Sequence, residues 1–345
     1  MKATIRNVAK LAGVAPSTVS HYLNHTAQLA PGTAQNVERA IAALNYRVNL
    51  GARSLRLKKT HSIGLIIPNI STPFFGELAA MVESVLWDRG YQMLLSLSAR
   101  DVNREMSHLT NFVSRQVDGI LVVYNQEQEQ RAQNVRSLAV PVVFLDRVVR
   151  GAPSVATDNY LGGQLAAQHL RKLGHRQIAM LCGQSDIQNV IDRMAGFNDE
   201  LRRDGVAVDP AHVLHGAQDL ELGSRVSELF SRPPSPTAVF ATNDIVAIGA
   251  WCGLIALGKR VPQDVSLVGF DDVEMSRFLV PPLTTVAQPA AVIGRKAVDL
   301  LLDLIDRKQA LAPADGNTIL LEPTLNVRGS TGILEKGGDP AVPLY

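Results

Sequence analysis

The chain lacks what would place it in a membrane, in an oxidising compartment or around a metal. No apolar run approaches the roughly 20 residues needed to cross a bilayer. After Met1-Lys2 the sequence passes into a polar amphipathic pattern, without the apolar stretch and small-residue cleavage site of a secretory signal. A cytoplasmic protein with no membrane partner is expected. Cysteine is scarce: Cys182 and Cys252 stand far apart in apolar segments, which predicts two buried reduced thiols, with neither a disulfide nor zinc-ligand spacing. Enzymatic signatures are missing too. There is no G-x-S-x-G, no G-x-x-x-x-G-K-S/T, no G-x-G-x-x-G after a strand and no H-E-x-x-H, so no catalytic residue, cofactor or metal is expected.

Acid is nearly absent from the first 60 residues. Nine Lys or Arg face one acidic residue, Glu38, so this stretch carries +8, while the whole chain, with 34 basic and 32 acidic residues, carries only +2. Such a basic head suits a polyanion, because each phosphate neutralised by a cationic side chain releases condensed counterions. At 345 residues and 46% apolar content, the chain is long enough for this head and two medium lobes.

The head has the spacing of a helix-turn-helix. Ile5, Val8 and Leu11 recur at helical intervals behind Thr4, a good N-cap, and Gly13 stands where a left-handed terminating residue is needed. A second helix opening at Pro16 buries Val19 and Leu23 and turns Ser17, Thr18, Ser20 and His21 outward, towards a major groove. A third, about Pro31 to Leu44, buries Val37, Ile41 and Leu44.

From Ser62 short β-branched strands alternate with amphipathic helices, the mark of parallel α/β architecture. One series runs from Ile63–Ile67 to Pro141–Leu145. A second runs from a helix at Asn159–Leu173 to a strand at Ser266–Phe270, with one continuous helix expected over Leu220–Phe230. Thr284–Val286, a helix at Ala291–Ile305 and one strand over Ile319–Leu325 have no partners left in the second series, so the chain is expected to cross back to the first. The expected fold is a small all-α helix-turn-helix head followed by an α/β body of two doubly wound parallel-sheet lobes. The boundaries are a head at 1–48, a hinge at 49–61, a body at 62–332 and a tail at 333–345. Lobe 1 takes about 62–157 and 289–320, and lobe 2 about 158–286 and 321–332. Ligands of such sheets sit at the carboxyl ends of strands, here between the lobes.

Thr4-Ile5, Val8-Ala9, Ala12-Gly13-Val14, Ser17-Thr18-Val19-Ser20, Leu23-Asn24, Ala43-Leu44-Asn45-Tyr46 and Ala52-Arg53-Ser54-Leu55 resemble the DNA-binding head and hinge of the lactose-repressor/galactose-repressor (LacI/GalR) family. Along the body, Gly64-Leu65-Ile66-Ile67-Pro68-Asn69, Phe144-Leu145-Asp146-Arg147, Thr242-Asn243-Asp244, Gly269-Phe270-Asp271 and Arg328-Gly329-Ser330-Thr331 are similar to its periplasmic-binding-protein-like effector domain. The resemblance implies that Pro16, Ser17 and His21 read base edges and that Leu55 wedges into the minor groove. It adds Thr4, Thr18, Ser20, Asn24, Ala52, Arg53 and Arg56 to the DNA-contacting set. His21 stands where many relatives carry Arg, which implies a weaker contact to guanine than a bidentate Arg makes. Ala15 and Ala30 replace the usual capping Ser, leaving orphan N–H groups at about 1 kcal/mol each. Gly51 lowers helix propensity in the hinge, which is expected to fold only on DNA.

The implied effector site comprises Phe74, Asp146, Arg147, Arg193, Leu220, Asn243 and Asp271. Asp146 and Asp271 accept hydroxyl donors, Asn243 donates and accepts, Arg193 offers a planar donor fork, and Phe74 offers a face for a sugar ring. Leu220 replaces an aromatic that sandwiches the ligand in relatives, which disfavours a purine and favours a neutral sugar or a sugar acid. Asp158 suits a helix N-cap as well as a ligand contact. The implied protein is a dimeric repressor that binds pseudo-palindromic double-stranded operator DNA of a carbohydrate or sugar-acid operon under control of a small-molecule effector. The alternative is the same fold governed by a protein partner, with a vestigial cleft. The tail shows no leucine heptads, so a homodimer rather than a coiled-coil tetramer is expected.

Overall fold

The computed structural model describes residues 3–24, 27–46, 59–123, 135, 138–307 and 317–334, divided between a unit before His61 and a unit from His61 onward. The hinge positions Ala52, Arg53, Leu55 and Arg56, the Gly51 expectation and nearly all of the tail lie outside the described residues.

In the first unit, α1 (Ile5–Ala12) opens with a capping box, in which Thr4 N–H donates to Asn7 Oδ1 at 2.9 Å and the Thr4 hydroxyl accepts from Asn7 N–H. It closes at Gly13, whose φ of 69° is the left-handed conformation that glycine adopts without strain. Helices α2 (Pro16–Asn24) and α3 (Pro31–Ala43) follow. Their shared core is Val8, Ala9, Ala12, Val19, Val37 and Ala40, edged by Leu23, Ile41 and Leu44. Leu11 is not part of it, at 56% exposed. The buried stripe runs Ile5, Val8, Ala12, so the small Ala12 takes the inward position expected of Leu11. Ala30 is the N-cap of α3 and makes no side-chain cap bond.

In the second unit, a first sheet of β1 (Ser62–Ile67), β2 (Gln92–Leu97), β3 (Gly119–Val123), β4 (Val142–Leu145), β5 (Ser154–Thr157) and β11 (Thr318–Leu321) is parallel throughout, in the order β11-β5-β4-β3-β1-β2. The second contains β6 (Ile178–Cys182), β7 (Val213–His215), β8 (Ala238–Ala241), β9 (Ser266–Asp271), β10 (Thr284–Ala287) and β12 (Thr324–Asn326), ordered β12-β10-β9-β8-β6-β7. Only β12 is antiparallel there, against β10. The central strands are buried on both faces, as parallel strands covered by helices must be.

The described helices of this unit are α4 (Pro73–Asp88), α5 (Val102–Ser114), α6 (Asn159–Lys172), α7 (Gln188–Arg202), α8 (Leu220–Ser224), α9 (Ser227–Phe230), α10 (Asp244–Ala256) and α11 (Ala290–Asp306). Three connections differ from the sequence reading. Thr284–Ala287 pairs with β9 in the second sheet, inside the bounds expected for lobe 2 although the sequence predicts no partner for it there, and the crossing back begins with α11, which packs on α4 and the first sheet. The expected strand Ile319–Leu325 is two strands in different sheets, broken at Glu322-Pro323, where proline removes a ladder donor and restricts its predecessor. The expected helix Leu220–Phe230 is likewise two, α8 and α9, with Gly223 pressed against the backbone of α10. Strand β5 follows Pro153 with too short an apolar pattern to be read as a strand. Cys182 is buried, which pushes its thiol pKa up, but Cys252 is exposed on α10, contrary to expectation.

Candidate functional site

The carboxyl ends of the two sheets face a common cleft, part of it open to solvent. One wall carries Thr72, Phe74, Phe75, Arg100, Asp146 and Arg147, and the other Asn189, Arg193, Gln218, Asn243, Asp271 and Gln288.

Arg193 is placed by helix packing. Helices α6 and α7 cross so closely that a Cβ on Gly163 would lie 2.1 Å from the Arg193 carbonyl oxygen, and one on Gly196 would lie 1.9 Å from that of Tyr160. Only glycine permits this approach, and it brings the Arg193 side chain over the end of the second sheet. There Nε donates to Asn159 Oδ1 at 2.7 Å, and Nη1 donates to the Thr242 carbonyl at 2.5 Å and to Asp271 Oδ1 at 3.4 Å. The guanidinium lies 3.7 Å above the centre of the Phe270 ring, a cation–π contact within a buried site.

The two aspartates stand in corresponding places. Asp146 follows β4 and Asp271 ends β9, both in positive-φ backbone, at 68° and 117°, conformations that cost a side-chain-bearing residue free energy. Asp271 Oδ1 also accepts from Gln288 Nε2 at 2.7 Å. Asn189 Nδ2 donates to the carbonyl and to Oδ2 of Asp146, at 2.9 and 2.8 Å. Asp146 Oδ1 and Gln288 Oε1 are buried without a hydrogen-bond partner. Burial raises the Asp146 pKa to about 7 against the pull of Arg193, and that of Asp271 to about 6.

Of the sequence-derived set, the cavity brings together Phe74, Asp146, Arg147, Arg193, Asn243 and Asp271. Phe74 and Phe75 belong also to the first-lobe core, their rings 5.5 Å apart and edge-on. Asn243 is in addition the N-cap of α10, its Oδ1 accepting from Val246 N–H at 2.8 Å. Leu220 does not line the cavity. Asp219 caps α8, leaving Leu220 as its first residue and 53% exposed, while Gln218 lines the wall instead. Asp158 is the N-cap of α6, its Oδ1 accepting from Leu161 N–H. Sequence reasoning missed Arg100, Asn189, Gln218 and Gln288. Gln288 follows directly on β10 and Arg100 comes three residues after the end of β2, so the strand-end rule applied to every strand points to both. Asn189 and Gln218 carry no such signal.

On the first unit, Thr4, Pro16, Ser17 and His21 are exposed, and Thr18 and Ser20 half-buried, on the outer face of α2 and at the start of α1. Asn24 is the last residue of α2. Among the described residues no group of His, Cys, Asp and Glu is arranged to hold a metal, and no helix is long and apolar enough to cross a membrane.

Residues 4–49 match the family model for bacterial regulatory proteins of the lacI family, and residues 167–331 match the periplasmic binding protein-like domain. The chain is 36% identical over 309 residues to the HTH-type transcriptional repressor PurR of Haemophilus influenzae (strain PittEE), covering 89% of this chain and 92% of that protein. The chain belongs to the LacI family. Another member, the ribose operon repressor of Escherichia coli (strain K12), is 35% identical over 332 residues, covering 95% of this chain and 99% of that one. The structure of the Lac repressor dimer bound to operator and the anti-inducer ONPF superimposes with a TM-score of 0.86 at 29% identity, over 96% of this chain and all of that one. As a family member the chain is a DNA-binding transcriptional regulator and not an enzyme.

Proposed function

We propose that the chain is a cytoplasmic repressor that binds a pseudo-palindromic operator as a homodimer and is controlled by a sugar or sugar acid held between its lobes. The observation that carries this reading is the pair of buried, unpartnered acceptors, Asp146 Oδ1 and Gln288 Oε1, facing one cavity. A buried acceptor without a donor costs about 1–3 kcal/mol, and ligand hydroxyls supply what is missing. A purine fits less well: it gains most from two aromatic faces, and with Leu220 turned away the cavity offers Phe74 and Phe75 on one wall and amides on the other. A ribose operon repressor is among the relatives, in keeping with control of a carbohydrate operon.

The exposed row Pro16, Ser17 and His21 is the base-reading face of the head, supported by Thr4, Thr18, Ser20 and Asn24. Ala52, Arg53, Leu55 and Arg56 complete the contact in the hinge. The effector acts through different affinities for two arrangements of the lobes, which changes the spacing of the paired heads, and DNA and effector are linked reciprocally.

Calorimetry of the full chain against sugars, sugar acids and purine bases, paired with operator binding, tests this. The expected result is that one sugar or sugar acid binds and shifts operator affinity, and that Asp271→Ala and Arg193→Ala each remove the shift. Binding of a purine base alone, or unaltered ligand affinity in both variants, overturns the assignment.

A further inference from the structure

Arg100 is a cation that the described residues do not neutralise. It follows β2 in the first lobe, where Ala99 and Arg100 both adopt positive φ, 52° and 58°, so the backbone turns sharply to bring this side chain to the cavity. Its hydrogen bond runs across the cleft to a neutral acceptor, Gln218 Oε1, at 2.7 Å. Among the described residues no carboxylate lies within 4.0 Å of its nitrogens, and the partly buried guanidinium is disfavoured by loss of solvent. Asp146 and Asp186 act on it only at longer range. Gln218 is itself held in place: a Cβ on Gly183 would lie 2.6 Å from Gln218 Cγ, so glycine there makes room for this amide.

Arg193 differs. Its Nε and Nη1 are committed to Asn159, Thr242 and Asp271, and the Asp271 carboxylate balances its charge. Arg193 therefore has its counter-ion in the cavity, whereas Arg100 has none at ion-pairing distance among the described residues.

We propose that Arg100 is the counter-ion of an acidic group on the effector, so that the ligand is a polyol bearing a carboxylate or a phosphate and not a neutral sugar. This rests on the polyol reading above and sharpens it: Asp146, Gln288 and Asp271 take the hydroxyls, and Arg100 takes the oxyanion, with Gln218 holding the guanidinium until the anion displaces it. A guanidinium binds a carboxylate or phosphate through two parallel N–H···O bonds, which a neutral hydroxyl cannot match.

The test is calorimetry on the full chain with matched probes: D-glucose, D-gluconate, D-glucuronate and D-glucose 6-phosphate, and D-ribose, D-ribonate and D-ribose 5-phosphate. In the unaltered protein an acidic member is expected to bind at least about tenfold more tightly than its neutral partner. Whether a carboxylate or a phosphate wins identifies the source of the oxyanion. Arg100→Met should reduce that preference to within about twofold and Arg100→Lys should keep part of it, with an unchanged thermal transition showing that both variants fold. A neutral sugar bound as tightly as its acid, or an acid preference that survives Arg100→Met, overturns this proposal and leaves the polyol reading standing. Binding by no sugar or acid of the panel overturns the polyol reading and this proposal with it.

Discussion

The head and the body place the polar groups proposed to contact DNA and effector in opposite surroundings. In the head, Pro16, Ser17 and His21 lie open on the outer face of a helix whose core rests on a few small residues, Val8, Val19 and Val37 at its centre. In the body, Asp146, Arg193 and Asp271 are buried, mutually charged and held by strained backbone and crossed helices. A surface that reads a polyanion uses solvated charge and long-range attraction, whereas a cavity that reads a small polyol uses a few desolvated groups in fixed geometry. The first is sensitive to salt and the second to the removal of one atom.

Salt should separate them most. With +8 on the first 60 residues of each head and two heads per dimer, operator affinity is expected to fall by about 10³ or more between 50 and 200 mM salt, while effector affinity changes by less than about tenfold. Filter binding and calorimetry over the same salt series measure both. A flat slope on operator DNA would break the comparison at the head.

Next in size is Arg193→Met. Removing one partner of a buried ion pair leaves Asp271 and Asn159 facing an apolar side chain, and the body's unfolding transition should lose about 3–5 kcal/mol. Denaturant unfolding followed by tryptophan fluorescence reports it, since Trp87 and Trp251 both lie in the body. A loss below about 1 kcal/mol would mean that the pair contributes little to the fold.

Asp146→Asn tests the charge itself. Folding raises this carboxyl from its ordinary 3.8 to about 7, so the folded protein holds a proton that the unfolded chain loses between about pH 4 and 7. The group's contribution to stability is therefore most favourable below pH 4 and declines as pH rises to about 7, beyond which it is constant. Asn carries no such proton. The stability of Asp146→Asn relative to the parent should rise across that window and level off above it, read from melting temperatures at half-unit pH steps. A difference independent of pH would show that Asp146 titrates normally.

Much of this was legible in the sequence where local chemistry dictates structure. Thr4 and Gly13 bound α1 as their capping preferences require, and the alternation of β-branched strands with amphipathic helices read correctly as parallel α/β. Strand ends point to Asp146 and Asp271, and a family resemblance adds Arg193 on α7; the structure brings all three to one cavity. What was hidden depends on the third dimension. Nothing local distinguishes Leu11 from Ala12 as the buried member of its stripe, since both fit a helical period. Whether Leu220 or Gln218 faces the cavity depends on the turn set by the Asp219 cap. The split of 319–325 between two sheets depends on which edges are free, although Pro323 was the local hint.

The smallest expected effect returns to the head. Ala30 has no side-chain acceptor at the start of α3, and because Pro31 brings no N–H, the Gly32 and Thr33 amides are the first donors of that helix. Thr33 N–H reaches the Ala30 carbonyl at 2.9 Å, in the tight first turn. Ala30→Ser adds an oxygen within reach of these amides and should stabilise the head by about 1 kcal/mol. Thr4→Ala, which dismantles the capping box of α1, should lower it by a similar amount. Because so small a core leaves the head only marginally stable, changes of this size shift its melting measurably, whereas the body's transition should not move at all. Circular dichroism at 222 nm on the full chain, with and without operator DNA, follows the two transitions. If Ala30→Ser leaves the head's melting where it was while Thr4→Ala lowers it, then the first turn of α3 is already satisfied and the head's stability rests on α1.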